Sequence, residues 1–521
     1  MKIIKKIRLL NFKKFETFEV SFDDEINLLI GDNESGKSTI LTALDLVMRG
    51  SRNKVETIGL DSLFNTKVIN EFLNSDRNLN KLPELRVELY LNEQNNEITN
   101  GNNNLDKKPN DGVRLVCKPN EEYSESIKDV LKKTECLFPF EYYSISFTTF
   151  NDIPYNGYNK HLKHILIDNS LTSNEYAMKE YVKDIYNSKL LNTSEKFQHQ
   201  HEYRNHKEDF KNKAFKNINE RLENDYKFAI KSNSKSNVES DLIIYEGDIS
   251  IDNKGKGKQS IIKTSLALSK SAEDFDAVLL EEPENHLSHT NMKNLIQEVV
   301  NSTGKQIFVA THSDLVSTRL DLRKSILLNS SSKNRIKLED LSEDTAKFFI
   351  KAPDNNILEF ILSDKVILVE GDAEFILLEA LYKKKTNKSL IENNIHVISV
   401  GGTSFPRYLD IAKLLDIKTA VITDNDKNYK EKITNRYSKY NIDNISVFAD
   451  KDEKRYTFEI CIYEDNVEIC EELFSTKRRK LSVQEYMLKD KAEVAFQLLE
   501  NKSNDLKIPE YIEKAFEWIN N

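Results

Sequence analysis

The chain has 521 residues, too many for one hydrophobic core, so roughly two to four domains are expected. Its net charge of −9 means that any nucleic acid must be met by a local basic patch and not by the whole surface. Cys117, Cys136, Cys461 and Cys470 form no C-x-x-C pair, and no apolar run reaches membrane-spanning length. These features exclude a disulfide scaffold, a cysteine zinc site and a helical membrane span, and they suit a soluble cytoplasmic protein.

In chain order, Ile3 to Phe12 and Phe15 to Leu29 read as strands, the second with a turn at Asp23-Asp24. Gly31-Asp32-Asn33-Glu34-Ser35-Gly36-Lys37-Ser38-Thr39 then reads G-x-x-x-x-G-K-S between the apolar run Ile26–Ile30 and a helical pattern. Strand, glycine loop and helix make a P-loop. Its backbone N–H groups curl around phosphate oxygens, Lys37 reaches the β- and γ-phosphates, and the Ser38 hydroxyl goes to Mg²⁺. Asn33, Gly36, Lys37, Ser38 and Thr39 are therefore the candidate nucleotide contacts. Leu85–Leu91 alternates as a half-buried strand, Asn92–Asp111 reads as an exposed loop, and Val113–Cys117 and Glu141–Phe147 resume the β pattern.

From about residue 160 to 235 the pattern turns long, charged and helical, with Phe197, Phe210, Phe215, Ile218 and Leu222 recurring among Lys, Glu, Asn and His. This reads as an inserted helical arm or dimerisation element. His199 and His201 are two apart and cannot share an ion on a helix, whereas His161 and His164 would share a face without a third ligand. After residue 239 come Gly255-Lys256-Gly257-Lys258-Gln259-Ser260 and a helix, Ile261–Leu268. The strand Asp276–Leu280 ends in Glu281-Glu282, a Walker-B pattern whose acids can hold the water shell of Mg²⁺ and orient the attacking water. A helix, Thr290–Asn301, leads to the strand Gln306–Ala310 and Thr311-His312-Ser313.

These four elements resemble the ABC-type ATPase heads of the RecF, SMC and OLD group. The resemblance implies that the segment holding Gly257 and Gln259 completes the ATP site of a second subunit. It also implies that Glu281 is the metal acid, Glu282 the catalytic acid and His312 a switch sensing the γ-phosphate. Pro139–Lys160 contains no glutamine, so no Q-loop can be placed.

Past residue 350 a second pattern begins. Lys365–Val369 is a buried strand ending in Glu370-Gly371, followed by a helix from Phe375. Asn394–Val400 is a strand ending in Gly401-Gly402, and Thr419–Thr423 is a strand ending in Asp424-Asn425-Asp426. Strands alternating with helices predict a parallel sheet with ligands at the carboxyl ends of its strands, where Glu370, Asp424 and Asp426 all lie. Converging carboxylates call for Mg²⁺ or Mn²⁺, and two such ions can clamp both sides of a phosphodiester displacement. The combination resembles a Toprim domain. In the OLD (overcoming lysogenisation defect) type, the resemblance adds Glu374 and Glu459 as metal acids and Lys491 as the lysine that stabilises developing charge, with Lys489 competing for that role. Lys477-Arg478-Arg479-Lys480 reads as either a solvated turn or a DNA-backbone contact.

The expected architecture is α/β: an ABC-type P-loop ATPase head (1–158 and 239–350) with a helical dimerisation insertion (159–238), followed by a Toprim, Rossmann-like domain (351–521). The order resembles the OLD family of ATPase-nucleases, which includes the nuclease subunit of the Gabija anti-phage system. It implies a nucleotide-regulated DNA endonuclease or nickase with catalytic Glu370, Asp424, Asp426 and Lys491, using ATP with one metal ion and two Mg²⁺ or Mn²⁺ ions at the Toprim centre. Double-stranded DNA, a second copy of the chain and a helicase-like protein are the implied partners. The alternative is a repair or sensor ATPase whose Toprim-like domain binds DNA without cutting it.

Overall fold

The computed structural model describes residues 2–133, 137–169, 175–190, 192–222, 226–230, 238–268, 275–328, 336–352, 356–402, 404–475 and 481–521. They fall into two compact units, Met1–Thr311 with Leu328–Arg335, and His312–Leu327 with Ile336–Asn521.

The first unit starts with β1 (Ile4–Phe12), β2 (Phe15–Ser21) and β3 (Ile26–Gly31), the last running through the P-loop into α1 (Lys37–Arg49). Then come β4 (Leu85–Leu91), β5 (Asn110–Pro119) and β6 (Tyr143–Thr149). Alternating apolar residues give an antiparallel sheet in the order β2-β1-β4-β5-β6. The polar stretch before β5 is not simply a solvated loop. Asp111 is buried, and its carboxylate accepts the Gln94, Asn95 and Asn96 N–H groups and the Thr99 hydroxyl (2.7–3.2 Å). Burial opposes its charge, yet these donors hold the carboxyl below its ordinary range. One acid thus folds a segment whose composition alone reads as exposed.

β7 (His164–Asp168), α2 (Glu175–Lys189), α3 (Thr193–Ala214), α4 (Lys256–Leu268), β8 (Ala277–Glu281), α5 (His289–Asn301) and β9 (Gln306–Thr311) follow. The parallel strands run β3-β9-β8-β7, with Glu281 opposite Ala310 on one side and Asp168 on the other. Continuous apolar runs such as Val278-Leu279-Leu280 suit strands covered on both faces.

The stretch that reads as helical from residue 160 therefore opens on a strand, and His161 and His164 do not share a helix face. The His164 Nε2 lies 2.8 Å from Asp45 Oδ1, and Arg49 (3.0 Å) and Lys54 (3.1 Å) also pair with that buried carboxylate. Despite its burial, the Arg49 and His164 contacts hold Asp45 well below the usual range, which pins α1 to β7. α3 buries no residue of its own, and Phe197 and Phe210 on it are 62% and 56% exposed.

The second unit contains α6 (Glu343–Lys351), β10 (Lys365–Val369), α7 (Asp372–Thr386), β11 (Ile395–Ser399), α8 (Phe405–Leu415), β12 (Lys418–Ile422) and β13 (Ile445–Phe448). Its carboxyl-terminal part supplies α9 (Phe458–Asp465), α10 (Val483–Lys489), α11 (Lys491–Lys502) and α12 (Glu510–Asn520). The sheet is wholly parallel in the order β11-β10-β12-β13. Leu377, Leu378 and Leu381 of α7 share one core with Val494, Ala495 and Leu498 of α11. Each large side chain buried there contributes about 1.5–3 kcal/mol, enough to fix where the amino ends of both helices sit.

Among the described residues, no helix is long and apolar enough to cross a membrane.

Candidate functional site

Two groups of carboxylates stand at the ends of parallel strands, one in each unit. In the first, the P-loop closes tightly. Gly36 has φ 109°, and a Cβ there would come within 2.5 Å of the Phe15 ring, so only glycine fits. Lys37 is buried, and its Nζ donates to the carbonyls of Gly31 (2.6 Å) and Asp32 (3.0 Å). Burial lowers its pKa while Glu282, Asp32, Glu284 and Glu281 oppose that shift. Asn33 is exposed on the loop, Ser38 is exposed in the first turn of α1, and Thr39 there is half-buried.

Burial raises Glu281, against the hydrogen bond from Ser38. Glu282 is pushed up to about 7 by burial and then by Glu284. A carboxyl poised near neutrality can exchange a proton with an attacking water. The arrangement fits a Mg²⁺-nucleotide. Ser38 and Glu281 already meet where the metal acid and the hydroxyl are needed, Lys37 lies among the acids, and the buried Ser35 Oγ finds no hydrogen-bond partner among the described residues.

Gly257 sits in the first turn of α4, where a Cβ would come within 2.3 Å of the His286 carbonyl oxygen in the loop after β8. Gln259 is buried and donates to the carbonyls of Lys254 (2.8 Å) and Asp252 (3.3 Å) in its own chain. His312 directly follows β9 and is exposed.

Sequence reasoning missed several neighbours. Glu284 is buried and accepts the Thr311 hydroxyl at 2.5 Å. Asn169, just past β7, donates to Ser260 Oγ at 2.7 Å and ties that strand end to α4. Lys14 Nζ reaches the Glu34 carbonyl at 2.6 Å. The strand-end positions of Asn169 and Thr311 were the available signal.

In the second unit, Val369 lies opposite Ile422, so Glu370 and Thr423-Asp424 emerge side by side. Thr423 Oγ1 donates to Glu370 Oε2 at 3.4 Å. Asp424 Oδ1 accepts the Phe458 N–H (2.8 Å) at the start of α9, a helix capped by Thr457. Glu374 faces inward from the first turn of α7 and is buried, as is Glu459 on α9. A cleft of about 320 Å³ is lined by Glu370, Gly371, Glu374, Gly402, Asp424 and Lys491, among others.

Lys491 Nζ stands 3.0 Å from Glu459 Oε2, an ion-pair distance without hydrogen-bond alignment, so both Glu459 oxygens are buried and lack an aligned donor. Lys489, by contrast, ends α10 and is exposed. Asp426 is also exposed, is absent from the cleft lining and pairs with Lys432 at 3.2 Å. Between the two aspartates, Asn425 is buried and donates to the carbonyls of Asp450, Asp452 and Arg455 (2.9–3.3 Å). The basic run Lys477–Lys480 lies outside the described residues.

Burial, then the neighbouring acids, push Glu374 up to about 7 and Asp424 up to about 8, and Lys491 counters both shifts. Crowded carboxylates with all-oxygen donors, compensated among the cleft residues by Lys491, fit a hard divalent cation.

The sign of the pH effect follows. An unfolded aspartate titrates near about 3.9. The folded, metal-free chain therefore keeps a proton on Asp424 that the unfolded chain has lost between about pH 4 and 8, and this part of stability declines as pH rises through that window. In EDTA, Asp424→Asn should melt above the parent, and the gap should widen by several degrees from pH 5.5 to 8.5. A gap that stays constant with pH would contradict this crowding.

Comparison with known proteins found family matches in both units. Residues 1–316 match the AAA ATPase domain family, and residues 361–426 match the family described as Overcoming lysogenization defect protein-like, TOPRIM domain. Endonuclease GajA of Bacillus cereus (strain HuB5-5) is 24% identical, over 82% of this chain and 78% of its own length. The Old nuclease of Escherichia phage P2 is 26% identical over 170 residues, 30% of this chain, and the chain spans only 29% of that relative's length. Among solved structures, the C-terminal region of the OLD protein of Xanthomonas campestris pv. campestris is 24% identical, covering 31% of this chain and 94% of its own, with a TM-score of 0.24.

Proposed function

This chain belongs to the AAA ATPase domain family and carries an OLD-like TOPRIM domain, and on that premise we propose that it is a nucleotide-regulated, divalent-metal-dependent DNA endonuclease or nickase acting in anti-phage defence. One observation carries the reading. Glu370, Glu374, Asp424 and Glu459 converge at strand and helix ends beside Lys491, and burial, then the neighbouring acids, pushes Glu374 up to about 7 and Asp424 up to about 8. A domain that only bound DNA would gain nothing from a concentration of negative charge that repels phosphate. The names of the relatives, a nuclease and an endonuclease, support the same class.

In this reading Glu370, Glu374, Asp424 and Glu459 hold Mg²⁺ or Mn²⁺. A bound divalent ion there supplies a polarised phosphoryl oxygen and a water acidic enough to attack at neutral pH. Thr423 orients Glu370 through its hydroxyl, and the α9 N-terminus orients Asp424. Lys491 offsets the negative charge that accumulates on the phosphate during attack. Asp426, turned to Lys432, takes no part in the starting arrangement. In the first unit Lys37, Ser38 and Glu281 hold ATP with its metal ion, and Glu282 handles the proton of the hydrolytic water. Self-assembly joins the segment around Gly257 and Gln259 to a second copy's nucleotide, aided by the exposed Phe197 and Phe210. A DNA substrate implies the cytoplasm, and a helicase-like protein is the partner to seek.

Supercoiled plasmid incubated with the full chain and Mg²⁺ or Mn²⁺ should become nicked or linear, and EDTA should stop it. ATP turnover without strand cleavage under any metal would leave the binding-only ATPase as the better account.

A further inference from the structure

The acidic cleft raises a physical problem for a nuclease. Four carboxylates repel the polyanion they are meant to cut, so cationic groups beside them must supply the attraction. The second unit holds such a place. An open cleft of about 490 Å³ is lined by Phe348, Ser404, Pro406, Arg407, Asp410 and Lys439.

Asp410 acts as its frame. Its Oδ2 accepts the Thr345 hydroxyl (2.9 Å) and its Oδ1 accepts the Tyr440 hydroxyl (2.8 Å). Arg407 NH1 donates to the same Thr345 hydroxyl at 3.0 Å, and its guanidinium stands 6.0 Å from the Phe348 ring centre. Among the described residues no carboxylate pairs with Arg407. Lys439 Nζ is 4.8 Å from the Tyr440 ring centre and only loosely associated with Asp410, at 3.8 Å. A guanidinium held by a neutral hydroxyl, with donors left for a planar fork, suits a phosphate diester.

Position along the chain joins this cleft to the acidic one. Gly402 lines the acidic cleft and Ser404 lines this one. Two residues of chain span at most about 7 Å. That is on the order of one nucleotide step along a DNA strand, whose axial rise alone is about 3.4 Å.

The segment after Asp426 continues the charge. Between Lys427 and Tyr440 it carries Lys427, Lys430, Lys432, Arg436 and Lys439 against the single acid Glu431. Lys427 and Arg436 also stand over tyrosine rings, at 4.2 and 5.6 Å from the Tyr456 and Tyr437 centres.

We propose that the Arg407–Lys439 cleft is a backbone-phosphate subsite, holding a DNA phosphate that flanks the one presented to Glu370 and Asp424. The proposal rests on reading the unit as a DNA nuclease, and it names the residues that bring the substrate to the acids.

The test is binding of a fluorescent 25-base-pair duplex to the full chain in Ca²⁺, across 50–200 mM salt, alongside plasmid cleavage in Mn²⁺. Arg407→Gln and Lys439→Gln should each weaken binding about five- to tenfold and lower the slope of log affinity against log salt by about one. Lys413→Gln makes the same charge change at an exposed position in the last turn of α8 and should bind as the parent does. Arg407 touches Thr345, so its loss can disturb folding, but the Lys439 side chain is 67% exposed and its variant answers alone. Parent-like affinity and slope for Lys439→Gln, or an equal loss in Lys413→Gln, overturns the subsite. If the parent cleaves and the cleft variants bind normally, the subsite falls and the nuclease reading stands. If the parent never cleaves but Lys439→Gln still loses binding selectively, the nuclease reading falls and the phosphate subsite stands.

Discussion

Asp424→Asn is expected to lower metal-dependent plasmid cleavage by about 10³-fold or more, a loss of about 4 kcal/mol in transition-state stabilisation. The side chain sits at the end of β12, lines the acidic cleft and feels Glu374, Glu370 and Glu459 together. Losing an outer-shell partner of a metal typically costs 10–100-fold, so losing a ligand charge from the centre should cost more. Asparagine is the informative replacement because its amide oxygen can still accept the Phe458 N–H that Asp424 accepts at 2.8 Å, which keeps α9 in place. Alanine would leave that N–H unpaired at a helix start and confound chemistry with folding. The same change removes repulsion, so the metal-free variant should melt higher than the parent while it cuts far more slowly. Opposite signs for stability and activity are what a strained ligand set produces. Single-turnover cleavage in Mn²⁺, paired with Mn²⁺ titration calorimetry, makes the comparison. A variant cutting within tenfold of the parent would remove Asp424 from the centre.

The strand ends were legible in the sequence for a simple reason. A buried parallel strand fixes where its last side chain emerges, so an apolar run followed by an acid locates that acid without knowledge of the rest of the fold. Glu281, Glu370 and Asp424 all sit at such positions. The D-x-D pattern could not say which aspartate turns inward. That depends on Asn425, which is anchored by carbonyls of residues 450, 452 and 455, about 25–30 positions away. The choice between Lys489 and Lys491 likewise depends on a helix break at Asp490, visible only once α10 and α11 pack differently. His164 was read with the helical arm, although the apolar run Ile165-Leu166-Ile167 that follows it makes the strand β7; its partner Asp45 is 119 residues earlier. Arg407 and Lys439 are 32 residues apart and belong to no motif, so their shared cleft needed the fold. Local patterning reports direction along a strand, whereas pairings across long separations report which side chains meet.

Lys37→Ala should weaken ATP binding by about 10²–10³-fold and erase whatever difference ATP makes to the rate of cutting. Removing one member of a buried, hydrogen-bonded charge pair costs about 2–5 kcal/mol. Lys37 is buried among Glu282, Asp32, Glu284 and Glu281, so its loss also leaves those acids less compensated. Without the ammonium, Glu282 should rise further above its present value of about 7, and the proton traffic of hydrolysis should shift to higher pH. The acids proposed to hold metal in the second unit, Glu370, Glu374, Asp424 and Glu459, stand on a separate sheet and its helices with their own core, so Mn²⁺ affinity there should not follow the loss of ATP. Cleavage assayed with and without ATP, together with Mn²⁺ titration of the variant, separates the two. In the parent the two cleavage rates differ, in either direction; in Lys37→Ala they should converge. Loss of Mn²⁺ binding along with the ATP response would mean that the nucleotide builds the second centre instead of governing it. Retention of Mn²⁺ binding with a lost response would assign the P-loop the role of an input, whose nucleotide sets the state of the assembly while the phosphodiester chemistry runs on its own acids.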